Sequence, residues 1–335
     1  MLIRKSKNIL GLIILVLSLC SFSHAFAAEQ VVDIPDVQKF INEMVSEQGF
    51  KQDELESLFK QVKIKQKIID AMSRPAEKSK AWYEYRKIFL TDKRIKQGVK
   101  FWQENSNVLK YAQEVYGVPA EIIVAIIGVE TFYGRLQGSY RVMDALSTLA
   151  FKYPKRSKFF RGELKHFLLM SKDQNFDPLS KKGSYAGAMG MGQFIPSSFQ
   201  SYAIDFNGDG EKNIWTNNED AIGSVANYFK RHGWKKDQPV ADQVNLSKST
   251  TLTKKDSCRR SCKLKMSVAD FRQKGVVGET QVDDKTAAIL LWLKQKNNNE
   301  YWLGYKNFYV ISRYNHSTLY SMAVYQLSQE IKNSL

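Results

Sequence analysis

The stretch IIVAIIGVETFYGR, residues 122–135, constrains this chain more than any other. From Ile122 to Val129 no side chain is polar, and a chain that folds in water must bury such a run. Val118-Pro119 opens it as a helix, with Pro119 at a first-turn position where its missing N–H costs nothing. The run then ends on one carboxylate, Glu130. On a helix its neighbours one and two turns back are Ile126, Ile127 and Ile123. A carboxylate there loses solvation, so its neutral form is favoured and its pKa is expected to rise. A general acid for glycosidic bond cleavage needs that property near neutral pH. A glutamate that caps or bridges nearby backbone would occupy the same place, and the stretch alone leaves both readings open.

At 335 residues the chain suggests two or three packed units. Its 43% hydrophobic content, with 16 Tyr and 19 Phe, supplies a real core and excludes wholesale disorder. Arg4, Lys5 and Lys7, the apolar run Ile9–Cys20 and Ala25-Phe26-Ala27 read as a leader cleaved after Ala27. A rival cut before Cys20 would leave a lipid anchor, but Leu19 is bulky where a small residue is usual. The formal net charge is +16, which in a cytosolic chain would suggest nucleic acid. Export redirects that expectation to anionic cell-wall and membrane surfaces, and no nucleic acid is expected as partner. Cys258 and Cys262, in SCRRSCK, predict a local disulfide of structural role in an oxidising compartment. With no histidine nearby they make a poor zinc site.

Residues 34–115 read as helical. Phe40, Ile41, Met44 and Val45 have helical spacing, DELESLFKQV continues it, and SRPAEK at 73–78 breaks it. In AWYEYRKIFL, residues Trp82, Tyr83 and Tyr85 are either core or the lining of a sugar groove. KRIKQGVKFWQENSNVLKYAQEVYG reads as one long amphipathic helix ending at Gly117. Further helices are predicted around 143–151 and 158–172, and in DAIGSVANYFKRHG with Asp220 as N-cap. Residues 235–286 are polar and lysine-rich, with short β-prone pieces. KTAAILLWLK and NFYVISRY read as strands, and STLYSMAVYQLSQEIK as a closing helix. The fold class is α+β, predominantly α, with a small β-containing appendage late in the chain.

Two further stretches carry chemistry. GSYAGAMGMGQFIPSSF, residues 183–199, places Gly183, Gly187, Gly190 and Gly192 before Gln193, then a Pro-Ser-Ser cap into an amphipathic helix. Such glycines allow close approach of backbone to a ligand, or to another helix in a tight packing loop. DFNGDGEKNIWTNNED, residues 205–220, offers Asp205, Asn207 and Asp209, then Gly210, the first half of a calcium loop, with Glu211 placed to give a backbone carbonyl. Position twelve is Thr216 where a bidentate glutamate is needed, so the loop alone reads as an Asn-Gly/Asp-Gly turn.

GVETFYGR, GSYAGAMGMGQFIPSSF, DFNGDG, AIGSVANYF and YNHSTLYSMAV, in that order, resemble the lytic murein transglycosylase B family. The resemblance runs from about residue 35 to the end and weakens through 240–285. After the expected signal peptide at 1–27, it implies a helical domain at 28–115, joined by the C-terminal helix 316–335. It further implies a lysozyme-like catalytic core at 116–235 with the calcium-type loop 205–220, and a small β-containing domain at 236–315. The implied activity is that of a monomeric periplasmic enzyme cleaving the β-1,4 bond between N-acetylmuramic acid and N-acetylglucosamine in peptidoglycan. The product would carry a 1,6-anhydromuramic acid end, so no water is consumed. A hydrolysing muramidase and a non-catalytic wall-binding protein on the same fold are the rival readings.

No second acid appears in the matching motifs, and the resemblance makes Glu130 both acid and base, with no catalytic cofactor. It carries Ser184 over as a neighbour of the acetamido group and Gln193 as a groove residue. Tyr85, Tyr228, Tyr314 and Tyr320 become aromatics around the site, Asn315 a polar contact, and Lys155 with Arg156 a basic pair for a carboxylate. It implies structural calcium on Asp205, Asn207, Asp209, Glu211 and Asp220. The loop is one residue longer than the family's, which makes Glu219 a rival to Asp220. Glycan strands are the implied partner, with other cell-wall enzymes beside them.

Overall fold

The computed structural model describes residues 30–74, 80–261 and 263–335; the expected leader, Cys20 and Cys262 lie outside them. Helices α1 (Pro35–Gln48), α2 (Gln52–Lys60) and α3 (Gln66–Ser73) lead to α4 (Trp82–Phe89), α5 (Asp92–Glu104), α6 (Ser106–Tyr116) and α7 (Ala120–Thr131). A short ribbon, β1 (Tyr140–Arg141) with β2 (Lys182–Gly183), brackets α8 (Val142–Lys152) and α9 (Ser157–Asp173). Helices α10 (Pro196–Tyr202) and α11 (Asn218–Arg231) follow. The appendage holds β3 (Ala241–Leu246), β4 (Met266–Ser267), α12 (Val268–Gln273), β5 (Val276–Val277), β6 (Ala287–Lys294) and β7 (Asn299–Gly304). Helices α13 (Lys306–Tyr314) and α14 (Thr318–Asn333) close the chain.

The apolar run is the central helix. Every residue of α7 from Ala120 to Val129 is buried, because α5, α6, α11 and α14 pack around it. A helix apolar on all sides is stable only in such a position. Among the described residues no single helix is long and apolar enough to cross a membrane. The return of α14 onto α4, α5 and α7 ties the chain's end to its first half.

Helices α5 and α7 interlock through one aromatic ring. A Cβ on Gly98 would lie 2.5 Å from the Tyr133 hydroxyl, and one on Gly128 would lie 2.7 Å from the Tyr133 ring. The two glycines make the slot that the ring fills, and the Tyr133 hydroxyl donates to the Arg94 carbonyl at 2.8 Å.

The five-stranded sheet has the order β4-β6-β7-β3-β5, with every pair antiparallel. Strand β6 explains its own continuous apolar run. Successive side chains face opposite sides. Ile289, Leu291 and Leu293 join the large helical core, while Ala288 and Leu290 join a second core with Val244, Val268, Phe271 and Leu303.

Several expectations are corrected. NFYVISRY is helix α13 rather than a strand. Short apolar runs rich in β-branched and aromatic residues are ambiguous between the two. Here Asn307 decides: it accepts from Lys235 N and donates to the Lys235 and Gln238 carbonyls, anchoring a helix start. The long helix ending at Gly117 is two, α5 and α6. Asn105 turns its side chain back onto the Phe101 carbonyl at 2.8 Å and interrupts the ladder. Asp220 is not the N-cap of α11. Asn217 is, accepting from Glu219 and Asp220 N–H, while Asp220 lies within the first turn. The Pro-Ser-Ser segment has no side-chain cap of its own; the buried Glu163 accepts from Ser197 N at 3.0 Å instead.

The glycines give a paired test. Gly128→Ala is expected to destabilise by about 1–3 kcal/mol, because the filled slot leaves the methyl no room. Gly162→Ala, mid-α9 with nothing within 4 Å of its Cβ, is expected to stabilise by up to about 1 kcal/mol through helix propensity. Urea unfolding of both variants checks the opposite signs.

Candidate active site

Helix α7 does not simply stop after Glu130. Phe132, Tyr133 and Gly134 take left-handed backbone with φ of 51°, 60° and 81°. Two such non-glycine residues in succession are strained. The turn is held by Phe132 N donating to Gly128 O at 3.1 Å, Tyr133 N to Ile127 O at 3.2 Å and Leu136 N to Thr131 O at 2.8 Å. Glu130 therefore sits where the buried helix surfaces, and it is half-buried rather than enclosed.

Its carboxylate is met from the far end of the chain. Tyr320, near the start of α14, donates its hydroxyl to Glu130 Oε1 at 2.5 Å. Burial pushes the Tyr320 and Tyr314 phenols well above their usual range, and the Glu130 charge adds to the effect in both. Both phenols stay protonated, so Tyr320 remains a donor. Tyr85, 1% exposed, lies close enough to act on the Tyr320 phenol as well.

The glycine-rich segment folds over this end of α7. Met189 and Phe194 exchange backbone hydrogen bonds at 2.8 and 2.9 Å. Gln193 sits at φ 51° with Nε2 donating to Gly190 O at 3.0 Å and Gln137 O at 3.2 Å. Tyr314 donates to Gly192 O at 2.5 Å. A Cβ on Gly192 would lie 2.9 Å from that hydroxyl, so only glycine lets the loop rest there. Ser184 Oγ accepts from Ala186 and Ala188 N–H at 3.3 and 3.0 Å. The structure thus brings Glu130, Tyr320, Tyr314, Gln193 and Tyr85 into one connected region.

Other expected residues have different surroundings. The Tyr228 hydroxyl donates to Arg313 O at 2.7 Å, and its ring packs on Tyr314 and His232 at 4.7 and 4.0 Å, so it supports Tyr314 from behind. Lys155 and Arg156 lie on the turn between α8 and α9, where the Arg156 guanidinium covers Phe159 at 4.2 Å. Neither has a described contact with the Glu130 region. Asn315 is exposed just beyond α13. Two residues went unnoticed in the sequence. Thr131 Oγ1 donates to Met191 O at 2.8 Å, pinning the helix end to the glycine loop. Gln137 Nε2 donates to Gly134 O and Trp215 O at 2.9 and 2.8 Å. Thr131 stands beside Glu130 in its motif; Gln137 carries no local signal.

A second cluster lies in loop 205–220. Carboxylate oxygens of Asp205, Asp209 and Asp220 come within 4.8 Å of one another, and Glu219 is not among them. Asp220 is fully buried, accepting from Phe206 N at 2.8 Å and Asn213 N at 2.7 Å. Asp205 accepts from Gly208 N and Gly210 N at 2.7 and 2.8 Å. The Asn207 amide, then the Glu211 N–H, holds the Asp209 carboxyl below its usual range. Convergent hard oxygens of this kind fit a calcium ion. Cys258 is disulfide-bonded.

Comparison with known proteins decides the family. The transglycosylase SLT domain matches residues 33–329. The chain belongs to the transglycosylase SLT family. It is 44% identical over 306 residues, 89% of this chain and 82% of the other, to membrane-bound lytic murein transglycosylase B of Escherichia coli strain K12. It is similar to the crystal structure of the soluble lytic transglycosylase SltB1 of Pseudomonas aeruginosa, with 50% identity and a TM-score of 0.85, covering 90% of this chain and 99% of that one. The Escherichia coli lytic transglycosylase Slt35, solved in complex with calcium, gives 44% identity and a TM-score of 0.82, covering 90% and 93%.

This SLT-family chain is therefore a lytic transglycosylase that acts on peptidoglycan, built on the lysozyme-like α+β fold. The Tyr320–Glu130 contact yields a test. Tyr320→Phe removes a hydrogen bond to a charged group, worth about 1.5–3 kcal/mol. Turnover of purified sacculi is expected to fall roughly 10- to 100-fold, with the melting temperature lowered by a few degrees and the fold retained.

Proposed function

We propose that Glu130 is the sole proton-transferring residue of a non-hydrolytic cleavage of the β-1,4 bond between N-acetylmuramic acid and N-acetylglucosamine. The observation that carries this reading is the Tyr320 hydroxyl donating to Glu130 Oε1 at 2.5 Å; among the described residues, Glu130 is the carboxylate that acts on both the Tyr314 and Tyr320 phenols. Hydrolysing glycosidases usually flank the bond with two carboxyl groups, about 5–9.5 Å apart. A lone acid suits a reaction in which the substrate provides the remaining groups.

The steps balance without water. Protonated Glu130 gives its proton to the bridging oxygen as the C1–O bond breaks, releasing the N-acetylglucosamine end. The muramic acid acetamido oxygen shields the positive charge at C1. Glu130, now a carboxylate, takes the proton from the C6 hydroxyl as O6 bonds to C1, and a 1,6-anhydro ring results. In this scheme Tyr320 holds the carboxyl by its Oε1 as it meets the sugar. Ser184 lies near the acetamido group and Gln193 lines the groove, with Tyr85, Tyr228 and Tyr314 supporting. Asn315, Lys155 and Arg156 belong to the outer contacts with sugar and peptide.

The same reading gives loop 205–220 a structural calcium ion, held by Asp205, Asn207, Asp209, the Glu211 carbonyl and Asp220. The ion would offset three converging negative charges and take no part in the reaction. The divisions at 115/116 and 235/236, export to the periplasm by a cleaved leader, a Cys258–Cys262 disulfide, and action as a monomer on glycan strands complete the proposal.

Glu130→Gln keeps the shape and removes the proton. It is expected to release no soluble muropeptide from sacculi while folding normally; release at the normal rate would sink the mechanism. Mass spectrometry of the unaltered enzyme's products should show ends one water lighter than reducing sugars, and reducing ends would mean hydrolysis. For the metal, calcium at about 100 times its dissociation constant should add about 2.7 kcal/mol of stability. Chelator should remove that gain, and Asp220→Ala should abolish the calcium response in thermal melts.

A further inference from the structure

The C-terminus of α7 lacks a cation of its own. The last carbonyls of a helix have no intrahelical donors and form the negative pole of its dipole. A basic residue in the last turn commonly answers this, and α7 has none. The cation comes from α5. Arg94 Nη1 donates to Gly128 O at 2.5 Å, the carbonyl that also accepts from Phe132 N at 3.1 Å. The guanidinium lies between two rings, 5.2 Å from the centre of Phe89 and 5.0 Å from that of Phe132.

This placement is unfavourable for a charge. Among the described residues no carboxylate pairs with Arg94, and its Nε is buried without a hydrogen-bond partner. Burial pushes its pKa down. The Tyr133 ring in its two-glycine slot is a second, separate tie to α5. What the guanidinium touches is the Gly128 carbonyl, two residues before Glu130, and the Phe132 ring, two residues after it.

We propose that Arg94 is a positioning residue for Glu130: by holding the Gly128 carbonyl and the Phe132 ring, it fixes the strained turn that aims the carboxyl at the glycosidic bond. The inference rests on the reading of Glu130 as the proton-transferring residue. Stacking suits a planar guanidinium, and the left-handed residues 132–134 need an external hold because their backbone does not favour the turn.

The test uses the full chain on soluble glycan strands, with Arg94→Met, Arg94→Lys, Tyr133→Phe and Glu130→Gln run together. A misplacement of about 1 Å can cost roughly 100-fold, so Arg94→Met is expected to lower kcat by about that factor with KM within about twofold. Arg94→Lys keeps a charged donor but not the planar stacking group; it is expected to recover about tenfold of the loss and to leave kcat about tenfold down. Tyr133→Phe removes only the tie to the Arg94 carbonyl; it should lower the melting temperature and leave kcat within about twofold. An unchanged kcat in Arg94→Met beside an inactive Glu130→Gln overturns the proposal and spares the acid. Equal losses of kcat in Arg94→Met and Tyr133→Phe overturn it too, since the role would then be mere interlock. An active Glu130→Gln removes the reading beneath it. Should Arg94→Met fail to fold, the Lys variant decides: reduced kcat at constant KM supports the proposal, and unchanged kcat ends it.

Discussion

Everything in this molecule is arranged around the burial of α7. Ten consecutive apolar or buried positions cannot be satisfied by one neighbouring surface, so helices must close on all sides. The chain supplies α5 and α6 from just upstream, α11 from the middle and α14 from the very end. Each buried isoleucine contributes about 1.5–3 kcal/mol. The C-terminal segment is thus drawn back onto the centre by hydrophobic burial, and that return carries Tyr320 to Glu130 across 190 residues.

The same burial creates the chemical opportunity. A helix wholly enclosed in hydrocarbon has no place for a carboxylate except at its end, and Glu130 occupies the last turn before Thr131. The left-handed run at 132–134 turns the chain sharply, so the acid surfaces at the junction of α7, the glycine loop and α14. Strain of this kind persists only where surroundings over-determine it. Here the surroundings are specific: the Tyr133 ring in its slot, Thr131 on Met191, and the backbone bonds to Gly128 and Ile127.

What could be read from the sequence follows the range of the interactions. The apolar run, the amphipathic helices, the glycine loop and the acidic loop are local patterns, and each appears as an element or cluster in the fold. Failures occur where a distant group decides. NFYVISRY is helical because Asn307 bonds to residues 235 and 238, some seventy positions earlier. The break at Asn105 depends on one side chain turning onto its own helix. Gln137 matters through Gln193 and Trp215, which no short window contains. Likewise Gly98 looks like a weak spot in an amphipathic helix until Tyr133 fills it.

On the proposed reading of Glu130, the phenols around it bear on why one acid could serve twice. A second carboxylate beside it would repel it in its charged state and compete for its proton. Tyr314 and Tyr320, held neutral by burial, do neither. Tyr320 can donate to Glu130 in its ionised form midway through the cycle, and its hydroxyl can turn to accept when Glu130 is protonated. Tyr320 can therefore stay bonded to Glu130 in either form. An acid that must give a proton to one oxygen and take one from another needs such surroundings, and here they are built from residues whose first task is to cover α7.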